Sequence, residues 1–235
     1  MKFDAILFDL DGTLLPMDND TFTRGYFHLL AQTAAPYGYE ESALISAMWK
    51  GVGAMVKNDG SRTNFDAFWD VFSQLQGPQV YDHMPVFDGF YGTEFRKAIA
   101  FTRPTPLAKQ AVRLARQKAK RVILATNPLF PPQGVAPRLH WLELAPEDFD
   151  LVTNYKNSHF CKPNPAYYLE IMEKIHLSSD RCLMVGNDAQ EDAEAAARAG
   201  LHTYLVTDCL ISRGKSPACP QGSYADLLAF LEALE

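Results

Sequence analysis

Apolar residues along this chain fall into two rhythms, short unbroken runs and longer helix-spaced stretches. The runs lie in "AILFDLDGTLLP" (5–16), "RVILATN" (121–127), "FDLVTNY" (149–155), "RCLMVGND" (181–188) and "HTYLVTD" (202–208). Each is brief, rich in branched side chains and closed by polar or turn residues, the pattern of a strand buried on both faces. Between them come "TPLAKQAVRLARQKAK" (105–120), "PAYYLEIMEKI" (165–175), which opens on a proline, and "AQEDAEAAARAG" (189–200), with Gly200 as its C-cap. This alternation predicts βαβ units with right-handed crossovers, and hence an α/β fold on a doubly wound, mainly parallel sheet.

Residues 16 to 99 break the alternation. Helix-spaced and aromatic-rich stretches occur at 21–34, 41–56 and 64–75, separated by the loop-like "KNDGSRT" (57–63) and "QGPQVYDHMP" (76–85). The expected organisation is a core made of residues 1–15 and 100–235, interrupted after its first strand by a smaller helical unit, 16–99. The aromatic residues of that unit, from Phe22 to Phe72, recur at helical spacing and are expected to form mostly its interior. "YADLLAFLEALE" (224–235) is expected as a final amphipathic helix.

A hydrophobic fraction of 47% over 235 residues supports a full core. The net charge of −6 argues against a nucleic-acid partner, since phosphate backbones are held by clustered Lys and Arg. Cys161, Cys182, Cys209 and Cys219 form no CxxC pair, so they are read as ordinary interior residues of a protein kept reduced. Acids interrupt the first apolar run, and no stretch approaches the ~20 apolar residues of a membrane span. The expectation is a cytoplasmic protein, monomer or homodimer, with no membrane partner.

In open α/β sheets ligands bind beyond the carboxyl ends of the strands. The polar residues there are Asp9 and Asp11 at the first end, Thr126 and Asn127 at the second, and Asn187, Asp188 and Asp192 at the fourth; Lys162 lies in "FCKPNP" (160–165) downstream of the third. Asp9 and Asp11, two apart, share one side of the chain. Converging with Asp188 they would repel unless neutralised, and a hard divalent cation with oxygen ligands, Mg²⁺, does this well. Lys162 adds positive charge, while the Thr126 hydroxyl and the N–H groups around Gly12 and Asn127 suit oxyanions. Such a set suits phosphoryl transfer: one carboxylate attacks phosphorus and another moves the proton. Plainer readings stand beside these. Taken alone, Asp188 reads as a helix N-cap before a metal ligand, Thr126 as a strand-end residue and Lys162 as a surface lysine, while Asp192 reads equally as part of a solvated helix face; Lys50 and Arg62 read as solvated before they read as substrate contacts. Asp9 resists such a reading, because an acid following "AILF" is costly to bury without a partner.

In order, "FDLDGTLLP", Thr126 in "VILATN", Lys162 in "CKPNP" and "VGNDAQEDAEAAARAG" resemble the four motifs of the haloacid dehalogenase (HAD) superfamily. The resemblance covers residues 1–15 and about 100–210. It implies a Rossmann-like core with a helical cap inserted after the first motif. It further implies Asp9 as nucleophile and Mg²⁺ ligand, Asp11 as general acid/base and backbone-carbonyl ligand, Thr126 and Lys162 as phosphoryl-binding groups, and Asp188 as metal ligand. In the fourth motif the usual Gly-Asp is replaced by Gly186-Asn187-Asp188. The first acid aligns at Asn187 or Asp188, and charge favours Asp188, with Asn187 orienting water and Asp192 acting through water. Asp11 points to a Mg²⁺-dependent phosphatase acting on a small phosphorylated metabolite, since dehalogenases of the family keep no acid there. A phosphomutase, or a phosphonate-cleaving enzyme with Lys50 as Schiff base, is a second reading; a phospho-receiver or silent binding module is the non-enzymatic one.

Overall fold

The computed structural model describes residues 2–214 and 216–234. Its centre is a parallel sheet of β1 (Ala5–Phe8), β2 (Arg121–Leu124), β3 (Leu151–Val152), β4 (Cys182–Gly186), β5 (His202–Val206) and β6 (Gln221–Gly222), in the order β3-β2-β1-β4-β5-β6. The strand order reverses at β1, which lies between β2 and β4 with Phe8 opposite both Leu124 and Val185. The Asp9 N–H continues the ladder to the Val185 carbonyl at 2.9 Å, and the Ala125 N–H to the Phe8 carbonyl at 2.7 Å. Three strand ends therefore stop side by side, at the switch point where such sheets open a crevice.

Side-chain alternation gives the sheet two buried faces. Ile6 and Phe8 join one apolar cluster with Val122, Leu124 and Val185; Ala5 and Leu7 join another with Ile123, Met184, Tyr167 and Tyr168. The helices are α1 (Asn19–Ala34), α2 (Glu41–Val56), α3 (Asn64–Gln76), α4 (Met84–Gly92), α5 (Pro106–Lys118), α6 (Pro132–His140), α7 (Pro165–Ile175), α8 (Ala195–Arg198) and α9 (Tyr224–Glu232). Their starts are written locally: Asp18, Thr63, Thr105, Asn164 and Ser223 each accept an N–H of the first turn, and proline opens α5 and α7. The four helices α1 to α4 and a 3₁₀ stretch, Glu94–Phe101, occupy the interval between β1 and α5; Met17 and Thr102, at its two ends, are bridged. Among the described residues no helix is long and apolar enough to cross a membrane.

Some expectations are corrected. Residues 189–200 do not form one α-helix: they begin as a π-helical turn, Ala189–Glu194, and become α-helical at α8. The stretch 76–85 is not all loop, since it holds a 3₁₀ turn at Pro78–Val80 and the start of α4. The helix α6 was hidden by Pro137 in its interior, a residue that ordinarily argues against helix. The two-residue β6 was too short to leave a pattern.

Candidate active site

Asp9 follows β1 directly and is 7% exposed. Lys162 donates from Nζ to Asp9 Oδ1 at 2.8 Å and to Asp192 Oδ1 at 2.7 Å, and Thr13 donates its hydroxyl to Asp9 Oδ2 at 3.1 Å and to Asn187 Oδ1 at 2.9 Å. Lys162 is 1% exposed and Asp192 2%, so the surface readings of both fall away. Burial pushes the Asp9 carboxyl up, opposed by Lys162; it pushes Asp192 up to about 6, again against Lys162. Burial by itself would lower the Lys162 ammonium, but Asp192 and Asp9 hold it well above the ordinary lysine value. One ammonium thus serves two buried carboxylates, leaving the trio one negative charge in excess.

The chain turns sharply after Asp9. Gly12 has φ +87° and donates its N–H to the Leu15 carbonyl at 2.8 Å; a Cβ on it would lie 2.4 Å from Asn187 Nδ2. The turn brings Asp11 round to Arg138, a fully buried residue of α6, which donates from Nη1 to Asp11 Oδ2. Asp11 Oδ1 is buried with no hydrogen-bond partner, as is Arg138 Nη2. The Arg138 guanidinium also lies 4.0 Å from the centroid of the Phe130 ring.

Asp188 is the N-cap of the π-helical turn: Oδ1 accepts the N–H groups of Gln190 and Glu191 at 2.9 and 3.0 Å, and Arg213 pairs with the carboxylate at 2.6 Å. Asn187, not Asp188, reaches the Thr13 hydroxyl beside Asp9, held there by a 2.7 Å bond from its Nδ2 to the Cys209 carbonyl. Asp192 Oδ2 accepts the N–H groups of both Asn187 and Asp188 at 3.0 Å, so its carboxylate shapes the loop directly. Among the described residues no three His, Cys, Asp or Glu side chains form a metal-holding group. Helix capping and Arg213 together supply hydrogen bonds to the Asp188 carboxylate.

Thr126 is buried; its carbonyl accepts from Thr153 and Tyr167, while its hydroxyl makes no hydrogen bond among the described residues. Asn127 bonds Glu191 Oε2 at 3.1 Å and the backbone of Lys162. Burial and then Asp192 raise the Glu191 carboxyl to about 7. Of the other candidates, Lys50 is exposed and Arg62 is engaged with Asp70 on the surface of α3. Cys161 and Cys182 are buried, Cys209 and Cys219 half-buried, and all four are free. Sequence reasoning missed Thr13, Arg138, Glu191 and Arg213. Thr13 was within reach, one turn after Asp9; the others act across long intervals of chain that leave no local signal.

A family model for haloacid dehalogenase-like hydrolases matches residues 3–200. Among curated proteins no sequence matches. Solved structures similar to this one include a phosphoglycolate phosphatase predicted in Haemophilus somnus 129PT, 19% identical with TM-score 0.59 over 98% of both chains. The HAD-hydrolase YfnB of Bacillus subtilis, solved bound to magnesium, is 17% identical with TM-score 0.63, over 99% of this chain and 100% of that one. The L-2-haloacid dehalogenase of Xanthobacter autotrophicus is 14% identical with TM-score 0.58, again over 99% and 100%. At these identities the likeness is one of fold.

Proposed function

We propose that this chain, which belongs to the haloacid dehalogenase-like hydrolase family, is a Mg²⁺-dependent phosphatase that cleaves a small phosphorylated metabolite through an aspartyl-phosphate on Asp9. The observation that carries this reading is Asp11: a second carboxylate two residues beyond the candidate nucleophile, with one oxygen buried and unpartnered. Attack by an Asp9 oxygen forms the new P–O bond as the ester P–O bond breaks, and Asp11 supplies the proton that the leaving alcohol takes up. Water then attacks the same phosphorus, gives its proton to Asp11 and releases phosphate, restoring the Asp9 carboxylate. Lys162 and Thr13 hold Asp9 in place throughout. The Thr126 hydroxyl and the Asn127 backbone N–H are the neutral donors for phosphoryl oxygens.

The residues fit a hard cation. The Asp9 carboxylate, the Asp11 backbone carbonyl and the Asn187 side-chain carbonyl make an all-oxygen set, beside a buried carboxylate oxygen that lacks a partner. Asn187 replaces Asp188 as the fourth-motif ligand in this reading, because Asp188 is spent on its cap and on Arg213. Bound there, Mg²⁺ supplies positive charge for the phosphoryl oxygens. The helices α1 to α4 serve as the cap that closes over the crevice and selects the substrate, in a cytoplasmic enzyme.

The test is phosphate release from an aryl phosphate and a metabolite-phosphate panel, with Mg²⁺ and with EDTA. Mg²⁺-dependent release that Asp9→Asn abolishes is expected. Halide release from 2-haloalkanoic acids with no phosphate release from any ester would overturn the proposal.

A further inference from the structure

Where α1 to α4 meet the loop leaving β2, the structure encloses a cavity of ≈ 120 Å³. Its lining is mostly aromatic, with Trp49, Phe68, Trp69 and Phe87 from the helices and Phe130 and Tyr155 from the core. Trp69 packs edge to face against Phe68, Phe72 and Phe87, at ring separations of 5.6, 5.5 and 5.9 Å. Trp49 is 54% exposed, so the cavity opens to solvent on its side. Phe130 ties the cavity to the candidate active site, since its ring carries Arg138, which holds Asp11.

Asp88 is the one charged residue among the described residues of this lining; it is half-buried, and its side chain makes no hydrogen bond or ion pair with any other described residue. It also borders a neighbouring cavity that Arg96 and His140 line, without pairing with either. Burial, and then the Asp88 charge, hold the Tyr155 phenol at about 12. Arg138 does not line the cavity, and its charge is already met by Asp11.

An unpaired carboxylate at the wall of an aromatic chamber is poorly matched to a neutral apolar occupant, which would strip its water and return nothing. A methylated ammonium answers both features: the aromatic faces attract its charge, its methyl groups fill apolar space, and the carboxylate is compensated. An apolar cavity of ~150 Å³ admits a benzene ring, so ≈ 120 Å³ suits a group of trimethylammonium size. We propose that this cavity binds a quaternary or methylated ammonium group on the leaving alcohol, making the substrate a phosphate ester of an amino alcohol. This inference rests on the phosphatase reading for its leaving group, but the binding site is testable without turnover.

The experiment follows binding to the intact chain by tryptophan fluorescence and calorimetry, with choline and with its neutral carbon isostere, 3,3-dimethylbutan-1-ol. It also compares hydrolysis of choline phosphate and 3,3-dimethylbutyl phosphate. Choline is expected to bind at least tenfold more tightly than the isostere, and Asp88→Asn to collapse that preference. Equal or tighter binding of the isostere, or a preference that survives in Asp88→Asn, overturns the proposal. So does turnover of aryl phosphates with no turnover of choline phosphate, which leaves the phosphatase reading standing. Preferential choline binding in a protein that cleaves no phosphate ester supports the cation site and defeats the phosphatase reading instead.

Discussion

Arg138 and Asp11, 127 residues apart, form an ion pair in which the guanidinium is fully buried and the carboxylate 23% exposed. Neither partner is fully satisfied, as one oxygen and one nitrogen remain without hydrogen bonds. Removing either side strands a charge, most severely when the arginine is left behind. Asp11→Asn and Arg138→Met should each cost about 2 kcal/mol or more, and the double variant less than their sum. Denaturant titrations of the four proteins check this; additivity would mean that the pair carries no coupling.

Lys162 is the cation shared by Asp9 and Asp192. Lys162→Met leaves two buried carboxylates facing each other and should lose about 3–5 kcal/mol. Asp192→Asn keeps a one-to-one pair with Asp9 and should lose less, although it weakens the bonds to the Asn187 and Asp188 N–H groups. Chemical denaturation at pH 7.5 ranks the two.

Stability should decline as pH rises toward neutrality. Burial raises Glu191 from 4.5 to about 7 and Asp192 from 3.8 to about 6. The folded state therefore binds protons that the unfolded state has released over that interval, and this contribution, complete below about pH 4, is lost as pH rises through about 6 for Asp192 and about 7 for Glu191. Glu191→Gln, which keeps an acceptor for Asn127, should have a higher Tm than the parent at pH 8 and a flatter Tm profile between pH 5 and 8. A parent profile that rises over this range would count against the assignment.

At Gly12 two demands coincide, a left-handed backbone and a close approach to Asn187. Gly12→Ala should destabilise by about 2 kcal/mol, from αL strain plus displacement of the Asn187 amide. The loss of phosphate release should exceed the loss of Tm, because the displaced amide adjoins Thr13 and Asp9.

The fourth motif offers two neighbours with different work. Asn187→Ala should raise the Mg²⁺ concentration for half-maximal phosphate release at least tenfold. Asp188→Ala should mainly lower Tm, through loss of a helix cap worth ~1 kcal/mol and of the Arg213 pair. The reverse pattern would return Asp188 to the role that its charge suggested.

Much of the fold was legible because its signals are local. The runs ending at Phe8, Leu124 and Gly186 carry strand length and burial in their own composition, and α2 and α7 follow their spacing from end to end. What escaped were elements whose local chemistry disagrees with their state: α6 with Pro137 inside it, and a π-helical turn that no spacing rule anticipates. That turn has a consequence at the site, because Asp192 folds back onto the N–H groups of Asn187 and Asp188 rather than facing solvent.

By itself the sequence determined that Asp9, Asp11, Thr126 and Asn187 stand at the ends of short apolar strands, since period-two alternation and the order of apolar runs are local and survive any detail of packing; the sheet order then set those three ends side by side. Tertiary structure decided which charge meets which. Arg138 answers Asp11, Lys162 answers Asp9 and Asp192 together, and Arg213 answers Asp188. Ion pairs between distant segments depend on how helices and loops dock, and a buried charge accepts whatever partner the docking delivers, so no reading along the chain assigns them.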